Sequence, residues 1–227
     1  MKRYLILISF IACFYSMIPL AKADTSISID GSFDDWSQIP KTEISFPWDD
    51  YNYKHMALSA DDNYLYLYVD MSPYKGNGYN MLQPAGYQFN IGARHYHIDF
   101  KSPDGQYFAT HDLNIGQQKE FKVYIYESTN GGVNKLATSS YGIVKRVKSG
   151  YNFDEIAEVK IPLADFAIDD LLSQKITVKN LNLGQQSLEL VGASSSPYLL
   201  AGTGFLTANI CLFRIKRRKF NELRGQK

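Results

Sequence analysis

Two stretches of the chain alternate strictly in polarity. Leu65, Leu67 and Val69 alternate with Tyr64, Tyr66 and Tyr68, and Phe121, Val123 and Ile125 alternate with Lys122, Tyr124 and Tyr126. A period of two is that of a β-strand, whose successive side chains point to opposite faces. Each stretch therefore predicts a strand with one face in a core. The same alternation puts Tyr64, Tyr66 and Tyr68 on the outer face of their sheet. Further strands are predicted over 26–29, 42–46, 54–60, 86–92, 95–101, 141–148, 155–161 and 175–183. Turn chemistry separates them: Asp61-Asp62-Asn63, Pro103-Asp104-Gly105, Asn130-Gly131-Gly132 and Ser149-Gly150. Only 163–172, after Pro162, reads as a short helix. Many short strands with such turns predict an all-β fold, a single antiparallel β-sandwich. No internal repeat or low-complexity block is evident.

The two ends break this pattern. Lys2 and Arg3 precede an apolar run over 4–20, and Ala21-Lys22-Ala23 is an A-x-A site. This is the form of a secretory signal over 1–23, cleaved between Ala23 and Asp24. Phe10-Ile11-Ala12-Cys13 is loosely lipobox-like, but the apolar run continues past it. At the other end, 192–197 reads as a linker, and an apolar run over 198–213 follows. A basic tail over 214–227 begins with Arg214, Lys216, Arg217, Arg218 and Lys219. Apolar run followed by cations is the stop-transfer pattern, with the basic side cytoplasmic. Sixteen residues reach roughly 24 Å as a helix against a hydrocarbon core of about 30 Å, so the span is short. The expected location is the outer face of the cell membrane or cell surface, with 24–191 extracellular. A buried helix with a solvated tail is the alternative.

Charge sharpens this division. Fourteen of the 24 Lys and Arg residues, but 22 of the 23 Asp and Glu residues, lie in 24–196. That part carries about eight net negative charges and would repel a phosphate backbone, so no nucleic-acid partner is expected. Neither cysteine falls in it: Cys13 lies in the signal and Cys211 in the apolar run. Its stability must come from its core.

Three segments carry a family resemblance. Ile29-Asp30-Gly31-Ser32-Phe33-Asp34-Asp35-Trp36 resembles the opening of carbohydrate-binding module family 9-like and DOMON-like β-sandwiches. The segment from Asp61 to Val69 resembles their following strand, and Glu158-Val159-Lys160-Ile161-Pro162-Leu163 their late strand and turn. The tail resembles the Firmicu-CTERM sorting domain of Gram-positive surface proteins. That resemblance implies an exosortase-like processing enzyme as a partner. The sandwich resemblance implies a ligand such as a cell-wall or extracellular glycan. It also implies calcium as a possible cofactor and, through DOMON relatives, a haem- or metal-binding carrier as an alternative.

The candidate site residues follow from their chemistry. Gly31 permits a tight turn, and Asp30, Asp34 and Asp35 can accept loop N–H groups or, alternatively, supply hard oxygens to calcium. Trp36 is expected to be a buried plug whose indole N–H needs a partner. The chain holds 17 tyrosines. Trp48, Asp49, Asp50, Tyr51 and Tyr53 combine aromatic faces with carboxylates in one loop, and Tyr74 and Tyr79 follow in another. Aromatic rings stack on sugar C–H faces while carboxylates bond hydroxyls, so these loops would form a ligand platform if they share one end. The family clamps its ligand between tryptophans, whereas here Trp48 alone is left once Trp36 is in the core. His95 and His97 share a strand face and with His111 or His55 could bind a metal. No G-x-S-x-G, H-E-x-x-H or P-loop motif is present, and no enzyme is expected. The expectation is a non-enzymatic, exported binding protein for glycan, or else a purely structural surface component.

Overall fold

Among the described residues, ten antiparallel strands form one sheet. They are β1 Thr42–Ile44, β2 Lys54–Ala60, β3 Tyr64–Asp70, β4 Tyr87–Ile91, β5 Arg94–Lys101, β6 Gln118–Glu127, β7 Asn134–Ser149, β8 Asn152–Pro162, β9 Lys175–Asn180 and β10 Leu188–Val191. The structure is a computed structural model that describes residues 27–48, 53–72, 79–150, 152–168 and 174–191. The signal with its Ala23–Asp24 site, the apolar run over 198–213 and the basic cluster from Arg214 to Lys219 lie outside the described residues. Among the described residues, no helix is long and apolar enough to cross a membrane.

Strand order is β1-β2-β3-β8-β7-β6-β5-β4-β9-β10. The sheet curls so that β10 approaches β2, nearly closing a barrel. Backbone bonds help to hold the seam. The Gln185 N–H donates to Ser45 O at 3.1 Å, and the Ser45 N–H donates to Gln186 Oε1 at 2.8 Å. Gly184 is required there, because a Cβ would sit 2.4 Å from Ser45 O. The inner face holds the main core, including Leu65, Leu67, Val69, Phe89, Phe100, Phe121, Val123 and Val159. Between Phe121 and Val123 the β6–β7 register shifts, from Phe121 opposite Gly142 to Val123 opposite Ala137, leaving extra residues as a bulge in the long β7 strand.

Tyr64, Tyr66 and Tyr68 do lie on the outer face, opposite Leu65, Leu67 and Val69, but this part of the outer face is covered rather than open. Tyr66 and Tyr68 are buried and Tyr64 is half-buried. Residues 27–39 lie across β3, β8 and β7, forming a second apolar cluster of Ile27, Ile29, Trp36, Ala57, Tyr66, Tyr68 and Ile143. The strand predicted over 26–29 is instead part of this strap, and its described residues 27–29 are not strand. The strap bonds through side chains rather than a ladder. Glu158 accepts the N–H groups of Asp30 and Gly31, and Asp35 accepts that of Ser28. Of the helix predicted over 163–172, the described residues 163–168 hold a 3-10 turn, Leu163–Phe166, ended by Ala167 in the left-handed region at φ 53°; 169–172 lie outside the described residues. Both apolar clusters fall within one compact unit, Ile27–Ser195.

Candidate ligand-binding site

Strand direction decides where the loops go. Ile44 pairs with Lys54, and His55 with Asp70. Asp70 pairs with Ile156, Ile156 with Lys145, and Lys145 with Gln118. On the far side Lys101 pairs with Lys122, and Tyr87 with both Ile98 and Asn180. The β1–β2, β3–β4, β5–β6, β7–β8 and β9–β10 loops therefore emerge at one end. The described residues Trp48 and Tyr79 thus belong to loops that leave the sheet at the same end.

Trp48 stands at this end with 76% of its surface exposed, its ring stacked on Phe46 with centroids 5.0 Å apart. Tyr79 is 48% exposed and Tyr107 is 72% exposed, the first from the β3–β4 loop and the second from the β5–β6 loop. Burial of its hydroxyl, then the nearby Glu155 and Tyr107, raises the Tyr79 phenol above its usual range. It stays a neutral donor and acceptor at ordinary pH. Tyr53 is half-buried beside the start of β2. Asp49, Asp50, Tyr51 and Tyr74 lie outside the described residues.

A buried ion pair fixes these loops from below. Arg146 donates to Glu155 Oε1 through Nε at 3.1 Å and Nη2 at 2.6 Å. Its guanidinium also bonds Leu113 O and, at 2.7 Å, Thr110 O in the β5–β6 loop. Glu155 Oε2 accepts the Leu82 N–H at 2.7 Å in the β3–β4 loop. The Asn80 side chain bonds Phe153 O, and the Glu155 N–H bonds Asn80 O. The guanidinium lies over the Phe153 ring, 3.8 Å from its centroid. One pair thus ties two aromatic loops to the β7–β8 hairpin. Removing either partner would strand a buried charge.

Sequence reasoning missed this pair and one further signal. Leu113-Asn114-Ile115-Gly116-Gln117-Gln118 and Leu181-Asn182-Leu183-Gly184-Gln185-Gln186 differ at a single position. This hexapeptide repeat corrects the expectation of none. Both copies begin in loops at the aromatic end. They bury different residues: Leu113 in the first, Leu183 in the second.

The opening motif has a folding role. Trp36 is fully buried, and its indole N–H donates to Glu158 Oε2 at 3.1 Å. Glu158 Oε1 accepts Asp30 N–H and Gly31 N–H at 2.8 and 2.7 Å. Burial raises the Glu158 carboxyl above its usual range, with Asp35 adding to the rise and the three donors opposing it. Asp30 accepts Ser32 N–H, and Asp34 accepts the Ser32 hydroxyl. The calcium expectation at Asp30, Asp34 and Asp35 finds no ligand set. Among the described residues, no group of three or more His, Cys, Asp or Glu could hold a metal ion. The histidines are likewise not gathered: His95 Nδ1 contacts Asn90 Oδ1 at 2.6 Å, and His97 lies beside the Tyr126 ring.

No protein-family model matches the chain, and neither does any curated protein or solved structure.

Proposed function

We propose that this is an exported, non-enzymatic surface protein that binds glycan through its loop end. The carrying observation is the convergence there of Trp48, Tyr79 and Tyr107, exposed aromatics on three separate loops. Exposed rings cost free energy in water and gain it against the C–H face of a sugar. Amide side chains of Asn114 and Gln117 in the Tyr107 loop, and of Asn182 and Gln185 in the β9–β10 loop at the same end, can exchange hydrogen bonds with hydroxyls. The ion pair beneath them supports preformed loops, which lowers the ordering cost of binding. Tyr107 and Tyr79 supply rings where the family uses a second tryptophan.

In this reading the near-closed sheet is a flattened β-sandwich, with the β7 bulge at a fold between its halves. Secretion, the short apolar run and its basic end supply export and surface retention or sorting by an exosortase-like enzyme. A glycan array probed with residues 27–195 and with Trp48→Ala tests the reading. Selective signals that the variant loses support it. An array without signals favours a purely structural surface component.

A further inference from the structure

The loop end carries a pattern that sugar stacking does not explain. Among the described residues, six large apolar side chains are exposed: Trp48, Tyr79, Tyr107, Ile115, Leu181 and Tyr126. All but Tyr126 stand at this one end. Two of them are aliphatic: Ile115 is 53% exposed and Leu181 is 49% exposed. An aliphatic tip has no π face and no hydrogen bond to offer a sugar. Its favourable partner is hydrocarbon.

Their surroundings narrow the partner further. Residues 113–118 and 181–187 contain no charged side chain. Elsewhere in the β5–β6 loop the charges are Asp104 and Asp112, with His111 between them in sequence and Lys119 paired to Asp112 at 3.0 Å. An anionic surface is attracted by clusters of Lys and Arg; Lys148 of the neighbouring β7–β8 hairpin is exposed at this end, but residues 113–118 and 181–187 add no further cation to make a cluster. Amides and apolar tips without cations fit an uncharged headgroup. Tryptophan and tyrosine belong at the headgroup level of a bilayer, and aliphatic side chains just below it.

The tips are also held in place. The Gly116 N–H donates to Arg146 O at 2.7 Å, and the Arg146 N–H donates to Gln117 O at 3.0 Å. The Leu181 N–H donates to Gly86 O at 3.1 Å. Insertion would therefore order little that is not already ordered.

We propose that the partner is an uncharged glycolipid displayed on a bilayer. Its sugar lies against the loop-end rings and amides, while Ile115 and Leu181 enter the acyl boundary. This rests on the glycan reading above and adds the lipid. The test compares binding of residues 27–195, which hold both apolar clusters, to three probes. These are phosphatidylcholine vesicles containing an uncharged dihexosyl-diacylglycerol, plain phosphatidylcholine vesicles, and the free dihexose. The expected result is binding to the glycolipid vesicles about tenfold or more tighter than to either other probe. Ile115→Asn combined with Leu181→Asn should lower vesicle binding about tenfold and leave free-sugar binding unchanged. Both positions are exposed, and the melting temperature of the variant checks that it is folded. Equal binding to free dihexose, or an unchanged double variant, overturns the proposal and leaves the glycan reading standing. Equal binding to plain vesicles overturns both. Binding to none of the three overturns the lipid proposal, and the array then decides the glycan reading.

Discussion

Replacing Trp36 with alanine should destabilise the folded unit by about 3–5 kcal/mol. The side chain is fully buried between the strap and the outer face of β3 and β8, against Tyr68 at a centroid distance of 5.3 Å. A buried tryptophan removes roughly 150–250 Å² from water. At about 25 cal/mol per Å² this is roughly 4–6 kcal/mol, an upper bound because the unfolded chain is itself partly compact. Alanine also deprives buried Glu158 of its indole donor, a loss of about 1–3 kcal/mol where no water replaces it. Trp36→Phe separates the two terms. It retains most of the apolar area and should cost roughly 2 kcal/mol, mainly through the lost donor. Trp48→Ala, at an exposed ring, should cost under about 1 kcal/mol. Urea melts of residues 27–195 measure all three. Equal losses for Trp36→Ala and Trp48→Ala would refute this assignment of core and surface.

Three further outcomes follow from the same geometry. Arg146→Ala should cost about 3–5 kcal/mol by leaving Glu155 buried and unpaired, and Arg146→Met with Glu155→Leu should recover part of it; urea midpoints and amide exchange at Leu82 report both. Glu158 has a folded pKa raised above its unfolded value, so its contribution to stability is fully present below the ordinary glutamate range. That contribution is lost as pH rises through the raised value. The stability of the wild type relative to Glu158→Gln should therefore fall over that rise, and melts across acidic pH check the sign. Gly184→Ala should force the β9–β10 loop away from Ser45, costing about 1–3 kcal/mol and shifting the Trp48 indole resonance.

Much of the fold was legible because half-buried strands advertise their period. The strand read over 54–60 is β2 residue for residue, and Leu65, Leu67 and Val69 do face the core. Trp36 was legible as a plug because a large ring follows a turn. Its partner was not, since Glu158 lies 122 residues away. Tyr66 and Tyr68 were read on the correct face, but their burial was not legible, because alternation distinguishes two faces and cannot say that both are covered. Ile27 and Ile29 alternate like a strand, yet their segment is fastened by side-chain acceptors instead of a ladder. Arg146 shares a face with buried Val144, a position where a charge without visible partners gives a sequence no reason for burial. Only its partners, Glu155 and two loop carbonyls, reconcile burial with charge. For the proposed site, Trp48 and Tyr79 were picked by residue type, and both are exposed. Tyr107, Ile115 and Leu181 were missed because single exposed side chains leave no periodic trace.

The account stands most directly on where ligand binds. Residues 27–195 titrated with the strongest glycan from the array, followed by amide and indole NMR, measure this. A loop-end site predicts shifts concentrated at the Trp48 indole and at the amides around Tyr79, Tyr107 and 181–186. Shifts centred instead on the sheet face around His97 and Tyr126, with the loop end unmoved, would contradict it.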